Sequence, residues 1–151
     1  MMRTAWRVLG RYGGSAGEDA VQEALIAALT TDALPQGDVG AWLRAIAARK
    51  ALDEARRVGR RAEHAAEHAG LDAESESTAT GAVLEVLMLR QALATLSPTD
   101  RAVLTLCDLE GFSMRDAART LGLTHVATKL RASRARRKLA RLLGARQGRT
   151  T

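Results

Sequence analysis

The sequence predicts an all-α protein of two small helical domains joined by a flexible acidic linker, and three observations predict it. Hydrophobic residues make up 46% of the chain but aromatics only 3%, so any core is built from Ala, Leu and Val. Ala and Leu favour helix, and the long Val/Ile/Tyr runs typical of strands are missing. Only two prolines stand in 151 residues, so little interrupts a helix. Composition then changes abruptly over 62–81, AEHAAEHAGLDAESESTATG, which has a single Leu and can bury almost nothing. The expected organisation is a first helical domain over 1–61, a linker over 62–81, a second domain over 82–143 and a disordered tail over 144–151.

In the first domain a short helix precedes one that begins near Glu18 and Asp19 and runs to about Leu29. Ser15 is its expected N-cap, with Glu18 three residues on as capping-box partner. Val21, Leu25, Ala28 and Leu29 share its apolar face, while Asp19, Gln22 and Glu23 fall partly on another. A loop containing Pro35 and Gly37 follows. Asp38 is placed to cap a helix from about Val39 to Arg57. Trp42, Leu43, Ile46, Ala47 and Leu52 form its apolar set, and Arg44, Arg49, Lys50, Arg56 and Arg57 its basic set.

In the second domain Val83–Leu96 reads as an amphipathic helix. Ser97-Pro98 starts the next, with Ser97 as N-cap, Pro98 in the first helical position and Asp100 in the first turn. It carries Val103, Leu104 and Leu106 and stops at Gly111. Ser113 caps a short helix over Met114–Leu121. Gly122 ends it, since a turn there requires positive φ. Thr124 caps the last helix, about His125–Leu143.

The net charge is +6, and between Lys129 and Arg149 there are nine Lys/Arg and no Asp/Glu. That one-sidedness suits a polyanionic partner. The lone Cys107 lies in an apolar stretch and reads as a small buried hydrophobe. Nothing resembles a signal peptide or approaches the roughly 20 apolar residues of a membrane span, so a cytoplasmic protein without membrane insertion is expected. His64 and His68 are four apart, but two histidines alone make a poor metal site. No nucleophile–base pair, phosphate loop or paired carboxylates stand out. Neither an enzyme active site nor a cofactor is expected.

Gly111–Arg137 carries the strongest functional signal: a helix, a tight turn, and a second helix dense in Arg. This is the pattern of a helix-turn-helix, whose second helix enters the major groove of duplex DNA. Thr124, His125, Ala127, Lys129, Leu130, Ser133 and Arg134 are expected to face outward. Lys and Arg can pair with guanine or phosphate. Arg136, Arg137, Lys138 and Arg141 are expected at phosphates.

Both halves together resemble a family. Asp19-Ala20-Val21-Gln22-Glu23-Ala24-Leu25, Ala41-Trp42-Leu43-Arg44-Ala45-Ile46-Ala47 and Ala51-Leu52-Asp53-Glu54-Ala55-Arg56-Arg57 resemble region 2 of bacterial RNA polymerase sigma factors. Leu93-Ala94-Thr95-Leu96-Ser97-Pro98, Arg101-Ala102-Val103-Leu104 and Arg134-Ala135-Arg136 resemble region 4. Two regions in this order with a short tether resemble the extracytoplasmic-function group. The resemblance implies that Asp19, Gln22 and Glu23 dock on the β′ clamp of core RNA polymerase. It implies that Gln36, Gly37, Asp38, Arg44, Arg49, Lys50, Arg56 and Arg57 hold the −10 element of promoter DNA. Single-stranded DNA is usually held by stacking surfaces and cations, and Trp42 is either such a platform or core. For the −35 duplex the implied contacts are Ser113, Arg115, Thr124, His125, Lys129, Leu130, Arg131, Ser133, Arg134 and Arg137. The polymerase β flap and an anti-sigma factor are further implied partners. The acidic tether (Asp72, Glu74, Glu76) matches a linker that threads toward the polymerase active site, or is a solubilising spacer. The chain departs from the family's pattern in its short first helix, in a −10 loop without the usual aromatic, and at Leu130 and Ala132.

The implied function is a sigma factor that binds core polymerase and directs promoter-specific initiation. Two other functions fit the residues: a stand-alone helix-turn-helix regulator, and a competitor for the sigma site on polymerase.

Overall fold

The computed structural model describes residues 1–10, 15–31, 35, 37–66 and 81–147. The described residues form helices α1 (Met2–Leu9), α2 (Ser15–Leu29), α3 (Val39–Ala66), α4 (Gly81–Ala94), α5 (Pro98–Leu104), α6 (Met114–Leu121) and α7 (His125–Gln147), and no strand occurs among them. A π-helical turn, Thr105–Leu109, extends α5, closed by the Glu110 N–H on the Thr105 carbonyl at 3.0 Å.

The local signals decide where most helices begin and end. The Asp38 carboxylate accepts the Ala41 N–H at 3.0 Å and starts α3. Ser97 accepts the Asp100 N–H at 3.1 Å at the head of α5, with Pro98 in the first helical position. Four helices have boundaries that differ from expectation. α4 runs from Gly81 to Ala94, two residues earlier at each end than Val83–Leu96. α2 begins at Ser15 itself, so Ser15 is in the helix and not before it. α3 continues to Ala66, into the segment read as linker, because residues 62–66 are Ala, Glu and His with no breaker. α7 continues to Gln147, past the point where a disordered tail was expected. One interior glycine, Gly144, costs about 1 kcal/mol against Ala and does not stop a 23-residue helix. Residues 67–80 and 148–151 lie outside the described residues.

The core is as alanine-rich as the composition requires. Ala5, Ala20, Ala24, Ala47, Ala48, Ala51 and Ala55 are buried where α1, α2 and α3 meet, and their small side chains let those helix backbones come close. Trp42, Leu43 and Ile46 are half-buried on the outer part of α3. The apolar stripe of α2 divides: Val21 is buried, but Leu25 and Leu29 are exposed, Leu29 by 83%.

Both predicted domains are present, and they share one continuous core. Val8, Leu9 and Leu52 of the first pack in the same cluster as Leu96, Val103 and Leu106 of the second. Arg101 ties this junction together. Only 1% exposed, it donates from Nε to the Val8 carbonyl (2.8 Å), from Nη2 to the Leu9 carbonyl (3.0 Å) and from Nη1 to the Leu96 carbonyl (3.0 Å). The first two acceptors are at the C-terminal end of α1, where unpaired carbonyls and the helix dipole both favour a cation. Gly10 makes room: its φ is +60°, and a Cβ there would stand 2.8 Å from the Arg101 Cζ.

Candidate nucleic-acid interface

The second domain builds a helix-turn-helix from three caps. Ser113 Oγ accepts the Asp116 N–H at 3.1 Å and donates to the Asp116 carboxylate at 2.6 Å, fixing the start of α6. Gly122 ends α6 in the left-handed conformation, φ 66° and ψ 34°, and the Leu123 N–H returns to the Ala118 carbonyl at 2.9 Å. Thr124 Oγ1 then accepts the Ala127 N–H at 3.1 Å to open α7. Buried Thr128, Ala132 and Ala135 seat α7 against α5 and α6.

With that face inward, Thr124, Lys129, Leu130, Ser133, Arg134 and Arg137 are exposed, as are Ser113 and Arg115. His125 and Ala127 are half-buried. Among the described residues Lys129 and Arg134 make no ion pair, so their charge is open to an external anion. Two arginines behave differently from expectation. Arg131 is half-buried and turned back to Asp100 of α5 at 2.9 Å. Arg136 donates from both Nε and Nη2 to the Asp108 carboxylate, a bidentate pair that raises its pKa further. Both anchor α7 to α5 and its π-turn and do not project into a groove. Sequence reasoning missed Val126, which is 75% exposed at the head of α7. The signal was present: Val126 and Leu130 are one turn apart, off the Thr128–Ala132–Ala135 face.

The basic helix of the first domain is more engaged. Arg44 Nη2 lies 3.5 Å from Asp38, and its Nε 3.2 Å from Glu110, at an angle too poor for a hydrogen bond. Lys50 pairs with Glu23 (3.3 Å), Arg57 with Glu54 (2.6 Å), and Arg56 with Asp53 (3.9 Å). Arg56 also donates to Thr99 Oγ1 at 3.1 Å, across to α5. Arg49 is exposed and has no ion pair among the described residues. Glu110 is only 11% exposed and collects Thr4 Oγ1 (2.8 Å) and Arg7 Nη1 (3.2 Å) besides Arg44. Gly37 and Asp38 sit exposed before α3; Gln36 lies outside the described residues. The backbone N–H of Ala41 holds the Asp38 carboxyl below its ordinary pKa, helped by Arg44.

On α2, Asp19, Gln22 and Glu23 are all exposed, next to the apolar Leu25, Ile26 (61% exposed) and Leu29. This is a mixed acidic and apolar surface, the composition of a protein contact more than of a solvated helix face. Cys107 is half-buried, 3.6 Å from the Met114 sulfur, and burial pushes its thiol up. His64 and His68 do not fall among residues with described side chains.

Comparison with known proteins decides the family. Residues 1–61 match the model of sigma-70 region 2, and residues 87–139 the model of sigma-70 region 4. The chain belongs to the sigma-70 family. Over 129 residues it is 33% identical to SigM, an ECF RNA polymerase sigma factor of Mycobacterium tuberculosis, in each of two strains. The alignment takes in 84% of this chain and 64% of SigM, so the chain spans under two thirds of the length of these curated relatives. A solved structure of the sigma factor RpoE from Bartonella quintana, in complex with the anti-sigma factor NepR, is similar throughout. Its TM-score is 0.72 at 26% identity, covering 95% of this chain and 89% of that one. The helix-turn-helix α6–α7 therefore lies in region 4, and α1–α3 in region 2. Among the described residues no helix is long and apolar enough to cross a membrane.

Proposed function

We propose that this chain is an initiation factor that binds core RNA polymerase and addresses it to promoters. The observation that carries the proposal is the pairing of two unlike surfaces on one sigma fold. The exposed α2 face, Asp19, Gln22 and Glu23 beside Leu25, Ile26 and Leu29, suits a basic, partly apolar helix of the polymerase clamp. The open α7 face, with Lys129, Ser133 and Arg134, suits the −35 duplex. Arg49 and the paired cations of α3 suit the −10 strand once their intramolecular partners are displaced. The bond-forming chemistry is the polymerase's; this chain supplies address and strand capture, in the cytoplasm where polymerase works. The likeness to a sigma factor solved with its anti-sigma factor supports a regulatory partner of that kind.

A transcription assay with core polymerase on a genomic fragment library tests the proposal, with RNA 5′ ends as readout. Discrete starts sharing upstream sequence, reduced tenfold or more by Gln22→Ala with Glu23→Ala, are expected. Duplex binding without any specific initiation would instead establish a stand-alone regulator.

A further inference from the structure

The head of α7 carries an apolar pair where a groove-reading helix carries its base contacts. Val126 is 75% exposed and Leu130 45% exposed. A single exposed Leu is ordinary. Here two large apolar side chains stand one turn apart on the outward side of the helix-turn-helix's second helix, in its first two turns. Neither belongs to the core cluster, whose α7 members are Ala132 and Ala135, with Leu139 packed against it. Exposed Lys129 and Ser133 lie beside them, with Arg134 a turn beyond Leu130. The surface is thus an apolar centre flanked by cations that make no ion pair among the described residues. That charge pattern complements a phosphate-flanked groove.

In the major groove only one base edge is apolar. Guanine, cytosine and adenine present donors and acceptors there, while thymine adds a C5-methyl group. An aliphatic side chain aimed at the groove floor gains from meeting that methyl and loses by desolvating any other edge. We propose that Val126 and Leu130 are specificity-determining residues that select thymine in the −35 duplex by packing against its methyl group. The proposal rests on the duplex-binding role proposed above. The spacing sets its geometry. Four residues of helix span about 6 Å, close to two base-pair steps of about 3.4 Å. The pair therefore reads two positions about two steps apart and not one base twice.

Replacing thymine by deoxyuridine deletes the methyl and nothing else, and so provides the test. The full-length chain first selects duplexes from a randomised pool. Each thymine in the selected duplex is then exchanged for deoxyuridine, and Kd is measured for the native chain, Val126→Ser and Leu130→Ser. Both side chains are exposed, so the variants keep the fold, which circular dichroism checks. At one position, or at two positions about two steps apart, the exchange is expected to weaken native binding about three- to fivefold, the loss for one buried methyl group. In one variant or the other that penalty falls to near unity while other positions keep theirs, the non-additivity of a direct contact. The proposal is overturned by selected duplexes without thymine, by deoxyuridine tolerated everywhere, or by a penalty unchanged in both variants. It is equally overturned if the variants lose polymerase binding and keep their thymine preference, since the pair would then be a protein contact. Failure to select any duplex sequence would overturn the duplex-binding role itself, a result separate from all of these.

Discussion

The two basic helices of this molecule, α3 and α7, carry similar charges in opposite situations. On α3, Arg44, Lys50, Arg56 and Arg57 each have an acidic partner, while Arg49, Arg60 and Arg61 have none among the described residues; Arg44 and Arg56 also reach the second domain at Glu110 and Thr99. On α7 the acids Asp100 and Asp108 bind Arg131 and Arg136 on the inward side and leave Lys129 and Arg134 uncovered. Charge density is thus a poor guide to which helix can take up an anion. The location of the nearest carboxylate decides it. In this arrangement the helix proposed to read duplex DNA is open to an anion, while most cations of the helix proposed to hold the −10 strand are occupied by its own domain and by its neighbour.

The largest effect is expected at the junction that keeps α3 occupied. Arg101→Met leaves the Val8, Leu9 and Leu96 carbonyls buried without their donor. Unfolding free energy from urea titration should fall by about 3 kcal/mol. A loss below about 1 kcal/mol would mean that the guanidinium is not what joins the halves.

That junction was not legible in the sequence. Arg101 follows Ser97-Pro98-Thr99-Asp100 at the head of a helix, and nothing local says that the end of α1 will receive it. The caps were legible because each is a bond within three residues: Asp38 to Ala41, Ser97 to Asp100, Ser113 to Asp116, Thr124 to Ala127. The α2 stripe was half legible. Helical period shows that Val21, Leu25 and Leu29 share a face, but not that burial ends after Ala24 and leaves the other two exposed. Of the outward set expected on α7, Thr124, Lys129, Leu130, Ser133 and Arg134 are exposed, His125 and Ala127 are half-buried, and exposed Val126 was not among them. These differences turn on the exact rotation of α7 about Thr128, which a cap and a period locate only to within a residue.

A middle-sized effect sharpens the contrast between the helices. Lys129→Ala and Arg134→Ala should each reduce the slope of log binding constant against log salt by about 1 on duplex DNA. Arg131→Ala and Arg136→Ala should leave that slope nearly unchanged, because their charge is already matched. Equal slopes for all four would show that the Asp100 and Asp108 pairs open on binding.

The smallest effect concerns the start of α3. The folded pKa of Asp38 is lowered, chiefly by the Ala41 N–H. Its capping contribution is therefore complete above the ordinary carboxylate value and is lost as pH falls through the lowered folded value. The amide resonance of Ala41 should titrate below the usual aspartate range in an NMR pH series. Titration at or above that range would contradict the cap.

A DNase I and permanganate footprint on a promoter, with and without core polymerase, tests the central claim most directly. The account predicts that the chain alone protects only an upstream duplex segment through α7 and leaves every thymine unreactive. Adding core polymerase should extend protection downstream and make a short run of thymines reactive, as α3 gains a strand to hold. Reactive thymines with the chain alone, or none after polymerase is added, would contradict it.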